Sequence, residues 1–376
     1  MKQIAIVTNG LGSGGVEKVL IEMLKVLDYQ KCSVDLYVFQ NLKEYGVYRD
    51  KVPESVNVYE LERLGKNNAK RYPLRCLRKY YYIHFLSNAD YNKSVVMQSR
   101  MVQPVQKKYD VAISYHSVNG MSVPFVAESI KAKRKILWLH SGLREGNVLN
   151  TKFEKLYGYY DVVVGVSQDI CKEYRLNFAS RYNQKVFEIR NIIPIEEIKQ
   201  LAESGESYND NYTGKRIITV GRLVKEKNPM LALEIAQRLK RTGVNFKWHF
   251  FGDGYLHDEL AKKIQELGLE GFVILNGFVE NVYPYMKQSD VCVHLGENEG
   301  YCTVTNEAKV LNVPVVAISS TGMREQLGSY AYGRVVIKSV PILTGSILEA
   351  FNMHINPNYK ASFENDLNLM ESLLYK

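Results

Sequence analysis

Short apolar runs alternate with amphipathic stretches through the first half of the chain. Residues 3–8 form a β-branched run, the glycine-rich residues 9–15 follow, and residues 16–24 have the apolar spacing of a helix. Runs of the same composition recur at 33–39, 111–114, 136–139 and 162–166. Such runs are typical of strands buried on both faces of a parallel sheet. The pattern therefore predicts an α/β unit that opens with a strand, a glycine loop and a helix.

The alternation starts again after a polar segment at residues 203–214. A strand pattern at 216–221 is followed by a helix pattern. We expect Asn228 to cap this helix, Pro229 to lie in its first turn and Gly243 to end it. Later strand patterns lie at 247–251, 273–275, 291–295 and 313–318, with helices expected at 257–268 and after Tyr301. The second half therefore predicts a second α/β unit.

These patterns divide the chain. We predict a first domain at 1–195, a linker at 196–214, a second domain at 215–355 and a helical tail at 356–376 that can pack back on the first domain. The length of 376 residues suits two domains, and 46% hydrophobic residues provide a core for each. No apolar run approaches the roughly 18 residues of a membrane span, and no signal peptide is recognised, so we expect a cytoplasmic protein.

The five cysteines and the remaining motifs limit the chemistry. The cysteines are widely spaced and form no CxxC pair, which argues against a disulfide framework and a structural zinc site. The chain has no Asp-x-Asp, and no group of His, Cys and carboxylate residues has metal-ligand spacing. We therefore expect a protein that needs no metal.

The positive charge is concentrated in one segment. The net charge of +9 comes from 49 basic and 40 acidic residues, and residues 63–87 contain no acid. Seven cations lie there: Arg63, Lys66, Lys70, Arg71, Arg75, Arg78 and Lys79. Aromatic residues are interleaved with them, which predicts contact with an anionic membrane surface. A solvated basic helix and a nucleic-acid groove are the alternatives.

Residues 296–308 carry the most informative motif. They lie between a strand and a helix expected to begin near Cys302, whose free amides would form an anion site at the carboxyl end of the strands. Glu299 precedes that helix and Glu307 lies about five residues inside it, so one carboxylate flanks each side. Because carboxylates bind hydroxyls, this arrangement suits a nucleotide-sugar. Two solvated acids are the alternative.

Two cations are expected at the same rim. Arg222 and Lys227 lie in the loop after the first strand of the second unit, where the phosphates of such a ligand would sit. Two cations can neutralise a diphosphate, and arginine offers a bidentate contact. Taken singly, an arginine or lysine at such a rim is more often only solvated.

At this point the sequence resembles the retaining glycosyltransferases of family 4. The likeness rests on Gly-Gly-Val-Glu at 14–17, Val-Gly-Arg-Leu-Val-Lys-Glu-Lys at 220–227, Phe-Gly-Asp-Gly at 251–254 and Glu-Gly-Tyr-Cys-Thr-Val-Thr-Asn-Glu-Ala at 299–308. It implies the GT-B fold, in which two Rossmann-like α/β domains face each other across a cleft. In detail the motifs look like those of bacterial capsule and surface-polysaccharide enzymes, with a nucleotide-sugar donor, expected to be a UDP-sugar, and a lipid-linked saccharide acceptor.

The resemblance also implies a role for each matching residue. Glu307 would bind the ribose, Glu299 would contact the donor sugar, and Arg222 and Lys227 would hold the diphosphate. The phosphate cradle would be completed by backbone amides of Gly300, Tyr301, Cys302 and Thr303, and Gly252 would lie at the donor.

From the first domain, the loop of Gly14 and Gly15 would face the donor, although a tight strand-to-helix turn explains those glycines equally well. His140, at the end of a strand, would contact the donor sugar. His116 and His84 are weaker candidates.

Three other functions stay open. A sugar-nucleotide epimerase can share the two-domain architecture, but it would need an acid/base set that the sequence does not present. A catalytically silent partner of another glycosyltransferase is disfavoured because Glu299, Glu307, Arg222 and Lys227 are all present. A nucleic-acid-binding protein is supported only by the basic segment.

Overall fold

The computed structural model describes residues 1–12, 14–39, 41–61, 73–74, 77, 91–116, 118–143, 152–297, 299–320, 322–356 and 362–376. The chain forms two compact units. The first contains Met1–Ile192 and Phe363–Lys376, and the second contains Ile193–Ser362. The seven cations of the predicted membrane segment and His84 lie outside the described residues, as does the side chain of His116.

A parallel sheet forms the centre of the first unit. Within the described residues its strands are β1 (Lys2–Thr8), β2 (Cys32–Val38), β3 (Val56–Glu60), β4 (Lys108–His116), β5 (Lys131–Leu139), β6 (Val162–Gly165) and β7 (Lys185–Glu188). Their order is β3-β2-β1-β4-β5-β6-β7, and all neighbouring pairs are parallel. From β1 the chain adds strands toward one edge of the sheet, and from β4 it adds them toward the other edge, so the point of reversal lies between β1 and β4.

Helices connect these strands. They are α1 (Gly15–Lys25), α2 (Leu42–Tyr45), α3 (Tyr91–Ser99), α4 (Ser122–Ser129), α5 (Gln168–Tyr174) and α6 (Ser180–Tyr182), with 3-10 turns at Arg49–Lys51 and Lys152–Tyr159 and a π-helical turn at Arg175–Ala179. The helix α1 buries Leu20, Met23 and Leu24. This apolar stripe against the sheet confirms the predicted strand, glycine loop and helix.

The second unit is built on another parallel sheet. Its described strands are β8 (Lys215–Val220), β9 (Phe246–Phe251), β10 (Val273–Leu275), β11 (Val291–His294), β12 (Val315–Ile318) and β13 (Gly333–Val336). The order is β10-β9-β8-β11-β12-β13. Ile217 packs in one apolar cluster and its neighbour Ile218 in a second one, because successive side chains point to opposite faces of a strand. Both faces of the sheet are therefore buried.

The helices of the second unit cover those two faces. They are α7 (Ile195–Ala202), α8 (Pro229–Arg241), α9 (His257–Glu266), α10 (Tyr283–Lys287), α11 (Thr303–Val310), α12 (Met323–Gly328) and α13 (Val340–Ala350), with a 3-10 turn at Lys225–Lys227. The predicted Rossmann-like α/β architecture of both halves is thus confirmed.

Two local predictions were wrong. The segment predicted as a linker begins with the helix α7, which belongs to the second unit and buries Ile198 and Ala202. The apolar spacing of these residues gives the helix one face to bury, in spite of its polar surroundings. Asn228 does not cap α8 through its side chain; its backbone is left-handed at φ 50°, and its Nδ2 donates to the carbonyl of Leu295 at 2.9 Å.

The last helix, α14 (Glu364–Tyr375), belongs to the first unit. Asp366 is 6% exposed and accepts hydrogen bonds from the backbone N–H of Arg190 at 2.8 Å and from its Nη2 at 2.6 Å. At the other end of α14, the Tyr375 hydroxyl accepts from the N–H of Asp28 at 2.9 Å. In the part of the chain that the structure describes, no helix has the length and apolar character needed to cross a membrane.

Candidate active site

The second sheet has its reversal of strand order between β8 and β11. In open parallel sheets, the loops at the carboxyl ends of strands separate at such a point and leave room for a ligand. The loop after β8 carries Arg222 and Lys227, and the loop after β11 carries Glu299. Gly252 directly follows β9, the neighbour of β8. The predicted residues of the second half therefore lie along one edge of the sheet.

Gly252 allows two of these loops to approach each other closely. Its φ is 134°, a conformation that side-chain-bearing residues rarely adopt, and an added Cβ would overlap the carbonyl of Gly221. Its N–H donates to the carbonyl of Gly277 at 2.7 Å. Gly252 thus has a structural reason to be glycine: it brings the end of β9 against the end of β8.

Lys227 reaches across to the loop after β11. It ends the 3-10 turn Lys225–Lys227, and the left-handed Asn228 behind it is tied to Leu295. The Lys227 ammonium forms an ion pair with the Glu299 carboxylate. Arg222, by contrast, is exposed. The structure thus brings Lys227 and Glu299 together and leaves the Arg222 side chain accessible at the same rim.

Glu299 has a second cationic partner. His294, the last residue of β11, is 3% exposed, and its Nε2 lies 3.0 Å from Glu299 Oε1. The Cys302 sulfur lies 3.7 Å from the same nitrogen. Gly296 makes room for this group, because an added Cβ would lie 2.6 Å from Glu299 Oε1 and 2.7 Å from His294 Nε2. A buried cluster of His294, Glu299 and Cys302 results.

The charges of this cluster stabilise one another. Burial alone would raise the pKa of Glu299, but His294 and Lys227 outweigh burial and lower that pKa to about 2. Burial lowers the pKa of His294, yet the electrostatic influence of Cys302 and Glu299 overrides it and raises the pKa to about 10. Glu299 is therefore a carboxylate and His294 an imidazolium at neutral pH.

The helix α11 begins immediately after Cys302, as the sequence predicts. The first N–H groups of a helix have no intrahelical acceptor, so the amides of the first turn are available to an anion. Cys302 itself is an exception, because its N–H donates to Oε1 of Gln326 at 3.0 Å. The expectation that this particular amide joins the phosphate cradle is therefore wrong. Gly300, Tyr301 and Thr303 surround it in the same loop and helix start.

Glu307 lies in the interior of α11. It is 3% exposed, and the hydroxyl of Tyr283 donates to its Oε1 at 3.3 Å. Along the chain, Glu299 precedes the first turn of the helix and Glu307 follows it. The start of the helix, on which the predicted spacing of the two carboxylates rests, is confirmed.

The candidates of the first half lie at the carboxyl edge of their own sheet. Gly14 caps α1, which starts at Gly15, just beyond the end of β1. His140 directly follows β5, is 8% exposed, and its ring lies 4.5 Å from that of Tyr115. Their place at strand ends agrees with a binding role, while the contact with Tyr115 agrees with a packed structural histidine.

Comparisons with known proteins identify the second unit. Residues 202–342 match the family model described as "Glycosyl transferases group 1". The chain carries a group 1 glycosyltransferase domain.

A curated relative extends the likeness to most of the chain. The chain is 27% identical over 349 residues to the N-acetylgalactosamine-N,N'-diacetylbacillosaminyl-diphospho-undecaprenol 4-alpha-N-acetylgalactosaminyltransferase of Campylobacter jejuni, covering 89% of this chain and 86% of the relative.

Two solved structures have the same fold. The complex of Anabaena Alr3699/HepE with UDP and glucose has a TM-score of 0.65 at 16% identity, covering all of this chain and 96% of that one. An E. coli structure described as trehalose-6-phosphate bound with UDP-2-fluoro glucose has a TM-score of 0.69 at 13% identity, covering all of this chain and 99% of that one. The predicted GT-B fold of the glycosyltransferase is thereby confirmed.

Two residues of the candidate site were not recognised from the sequence. His294 stands in an otherwise apolar run, and an ionisable residue at a strand end is the signal that could have identified it. Ligand atoms of His294, Glu299 and Cys302 all lie within 4.8 Å of one another, so these three residues come together although no metal-ligand spacing was recognised for them in the sequence. Gln326 gives no such signal, because its contact with Cys302 spans 24 residues.

Proposed function

We propose that the protein transfers a sugar from a nucleotide-sugar to a hydroxyl of a saccharide acceptor, with retention of configuration at the transferred carbon. The observation that carries this proposal is the pair of carboxylates, Glu299 and Glu307, on either side of the first turn of α11, with the Lys227 ammonium bound to the first of them. The free amides of that turn suit a phosphate, and the carboxylates suit hydroxyls on both of its sides.

The proposed chemistry assigns a role to each group. The bond between the sugar carbon and the diphosphate oxygen breaks, and its electron pair leaves with the diphosphate. Lys227, Arg222 and the start of α11 stabilise that charge electrostatically. The acceptor hydroxyl attacks the same face of the sugar and passes its proton to the departing phosphate oxygen. Glu299, kept anionic by His294 and Lys227, orients the sugar through its hydroxyls.

The substrates are inferred from the relatives. The Campylobacter enzyme acts, by its name, on a diphospho-undecaprenol-linked saccharide, and the Anabaena and E. coli structures contain UDP or a UDP-sugar. We infer a UDP-sugar donor and a lipid-linked acceptor in the assembly of a bacterial surface polysaccharide. Because the cations and the helix can balance the diphosphate charge, the reaction is proposed to need no metal.

The direct test is a thermal-shift screen of nucleotide-sugars, since a ligand that binds the native state raises the unfolding temperature by mass action. The donor found is then incubated with lipid-linked saccharides, and the anomeric configuration of the product is read by NMR. Retained configuration and unchanged rate in a metal chelator are expected. Inverted configuration, or interconversion of the donor without an acceptor, would contradict the proposal.

We also propose that the cations between Arg63 and Lys79 bring the enzyme to the inner face of the membrane, where a lipid-linked acceptor would lie. Flotation with vesicles that contain or lack anionic lipid tests this. Recovery with anionic vesicles alone is expected, and equal recovery with both kinds would count against it.

A further inference from the structure

The cluster of His294, Glu299 and Cys302 has the composition of a metal site. It offers an imidazole nitrogen, a carboxylate oxygen and a sulfur, all of which are zinc ligands in proteins. Cys302 carries a free thiol, and His294 and Cys302 are 3% and 4% exposed. The proposed transfer reaction uses Glu299 but requires neither the sulfur nor the imidazole as a ligand.

The distances within the cluster suit a single ion. Atoms bound to one tetrahedral Zn²⁺ at bonds of about 2.0–2.3 Å lie roughly 3.3–3.6 Å from one another. His294 Nε2 lies 3.0 Å from Glu299 Oε1 and 3.7 Å from the Cys302 sulfur, and no two ligand atoms of the set are more than 4.8 Å apart. Adjustments of a few tenths of an ångström to about one ångström would bring all three into bonding geometry.

The charges also allow an ion to bind. Zn²⁺ would bind the Cys302 sulfur as a thiolate and the His294 ring through an unprotonated nitrogen, and any proton displaced from either group would be released to solvent. The resulting thiolate and the Glu299 carboxylate would balance the double charge. Lys227 would have to leave Glu299, and its side chain is 29% exposed, so its ammonium can turn to water.

We propose that His294, Glu299 and Cys302 form a three-ligand binding site for Zn²⁺, with the fourth position open to water, and that the ion excludes the donor sugar. The second half of this statement rests on the proposed function, because it assumes that Glu299 contacts that sugar. The ion is then an inhibitor, and free zinc in the cell would lower the rate of transfer.

Cobalt titration of the full-length protein tests the site. Bound Co²⁺ gives a near-ultraviolet band from thiolate-to-metal charge transfer, and we expect it to saturate at one equivalent and to disappear when Zn²⁺ is added. Cys302→Ser should lose the band and weaken binding by more than about a hundredfold, because even the loss of outer-shell partners costs 10–100-fold. Cys171→Ser, which removes a buried thiol in the other unit, should retain it.

The outcomes separate the two halves of the proposal. No band in the wild-type protein, or a band that survives in Cys302→Ser, would overturn the site. Should Cys302→Ser fail to fold by circular dichroism, His294→Gln is used, and unchanged cobalt affinity in that variant would overturn the site as well. A cobalt band without inhibition of transfer by Zn²⁺ would overturn the exclusion of donor. Absence of any transfer activity would contradict the proposed function. It would leave the metal site untouched, because the cobalt band is measured without a transfer reaction.

Discussion

Gln326 binds both backbone groups of Cys302: its Oε1 accepts from the Cys302 N–H at 3.0 Å, and its Nε2 donates to the Cys302 carbonyl at 2.5 Å. Gln326 is 3% exposed, and its own carbonyl accepts from the ammonium of the buried Lys309 at 2.7 Å. Through these two hydrogen bonds, the Gln326 side chain fixes the backbone of the loop between Glu299 and the first turn of α11.

Gln326→Leu should destabilise the protein and weaken donor binding. The variant leaves the buried N–H of Cys302 without its acceptor, which lowers the free energy of unfolding by about 2 kcal/mol. A less firmly held loop raises the donor KM, with an expected change of about tenfold. Urea unfolding and initial rates measure both. The control is Gln265→Leu on the exposed side of α9, which should change neither the free energy of unfolding nor the donor KM. A wild-type donor KM in Gln326→Leu would contradict the positioning role.

Glu299→Ala should abolish transfer and leave the fold intact. The variant removes the carboxylate proposed to orient the donor sugar, and a loss of at least about a hundredfold in kcat is expected for such a group. The fold survives because His294 can release its proton once its anionic partner is absent. Glu297→Ala is the matched control in the same loop, since that carboxylate is 46% exposed and pairs with Lys338. Wild-type turnover in Glu299→Ala would refute the assignment.

The stability of the cluster should depend on pH in two opposite ways. The pKa of His294 is raised from 6.5 to about 10, so its contribution is complete below about pH 6.5 and is lost as the pH rises through about 10. The pKa of Glu299 is lowered from 4.5 to about 2, so its contribution is present above about pH 4.5 and is lost as the pH falls through about 2. Both contributions to the unfolding free energy are complete only between about pH 4.5 and about pH 6.5.

Urea unfolding of the wild type and of His294→Gln at pH 6, 8 and 10 measures this dependence. The difference in unfolding free energy between them should be largest at pH 6 and should shrink toward pH 10. A difference that grows with pH would show that His294 is neutral in the native protein.

Gly252→Ala should be far more costly than Gly243→Ala. Both glycines have positive φ, 134° and 77° respectively, but an alanine at 252 would also collide with the carbonyl of Gly221, whereas nothing lies within 4 Å of the Cβ position at 243. We expect a loss of about 1 kcal/mol at 243 and more than about 3 kcal/mol at 252. Equal losses, measured by thermal unfolding, would show that the close approach of the two loops can relax.

The sequence was informative wherever the signal was local. The helix after Cys302 and the strand-end positions of Lys227 and Glu299 follow from periodicity within a few residues, and the structure confirms them. The ion pair of Lys227 with Glu299 joins positions 72 residues apart, and periodicity places both only on the same rim. Gln326 and His294 were missed because their roles depend on which helix and strand lie side by side.

The contacts of α14 have a consequence for synthesis. Within the first unit, Asp366 contacts Arg190 and Tyr375 contacts Asp28, which lie 176 and 347 residues earlier in the chain. A ribosome makes all of Ile193–Ser362 before it makes α14. Since domains fold as units while the chain emerges, the second unit can finish folding first. The first unit, by contrast, lacks the contacts of α14 with Arg190 and Asp28 until Glu364–Tyr375 has been translated.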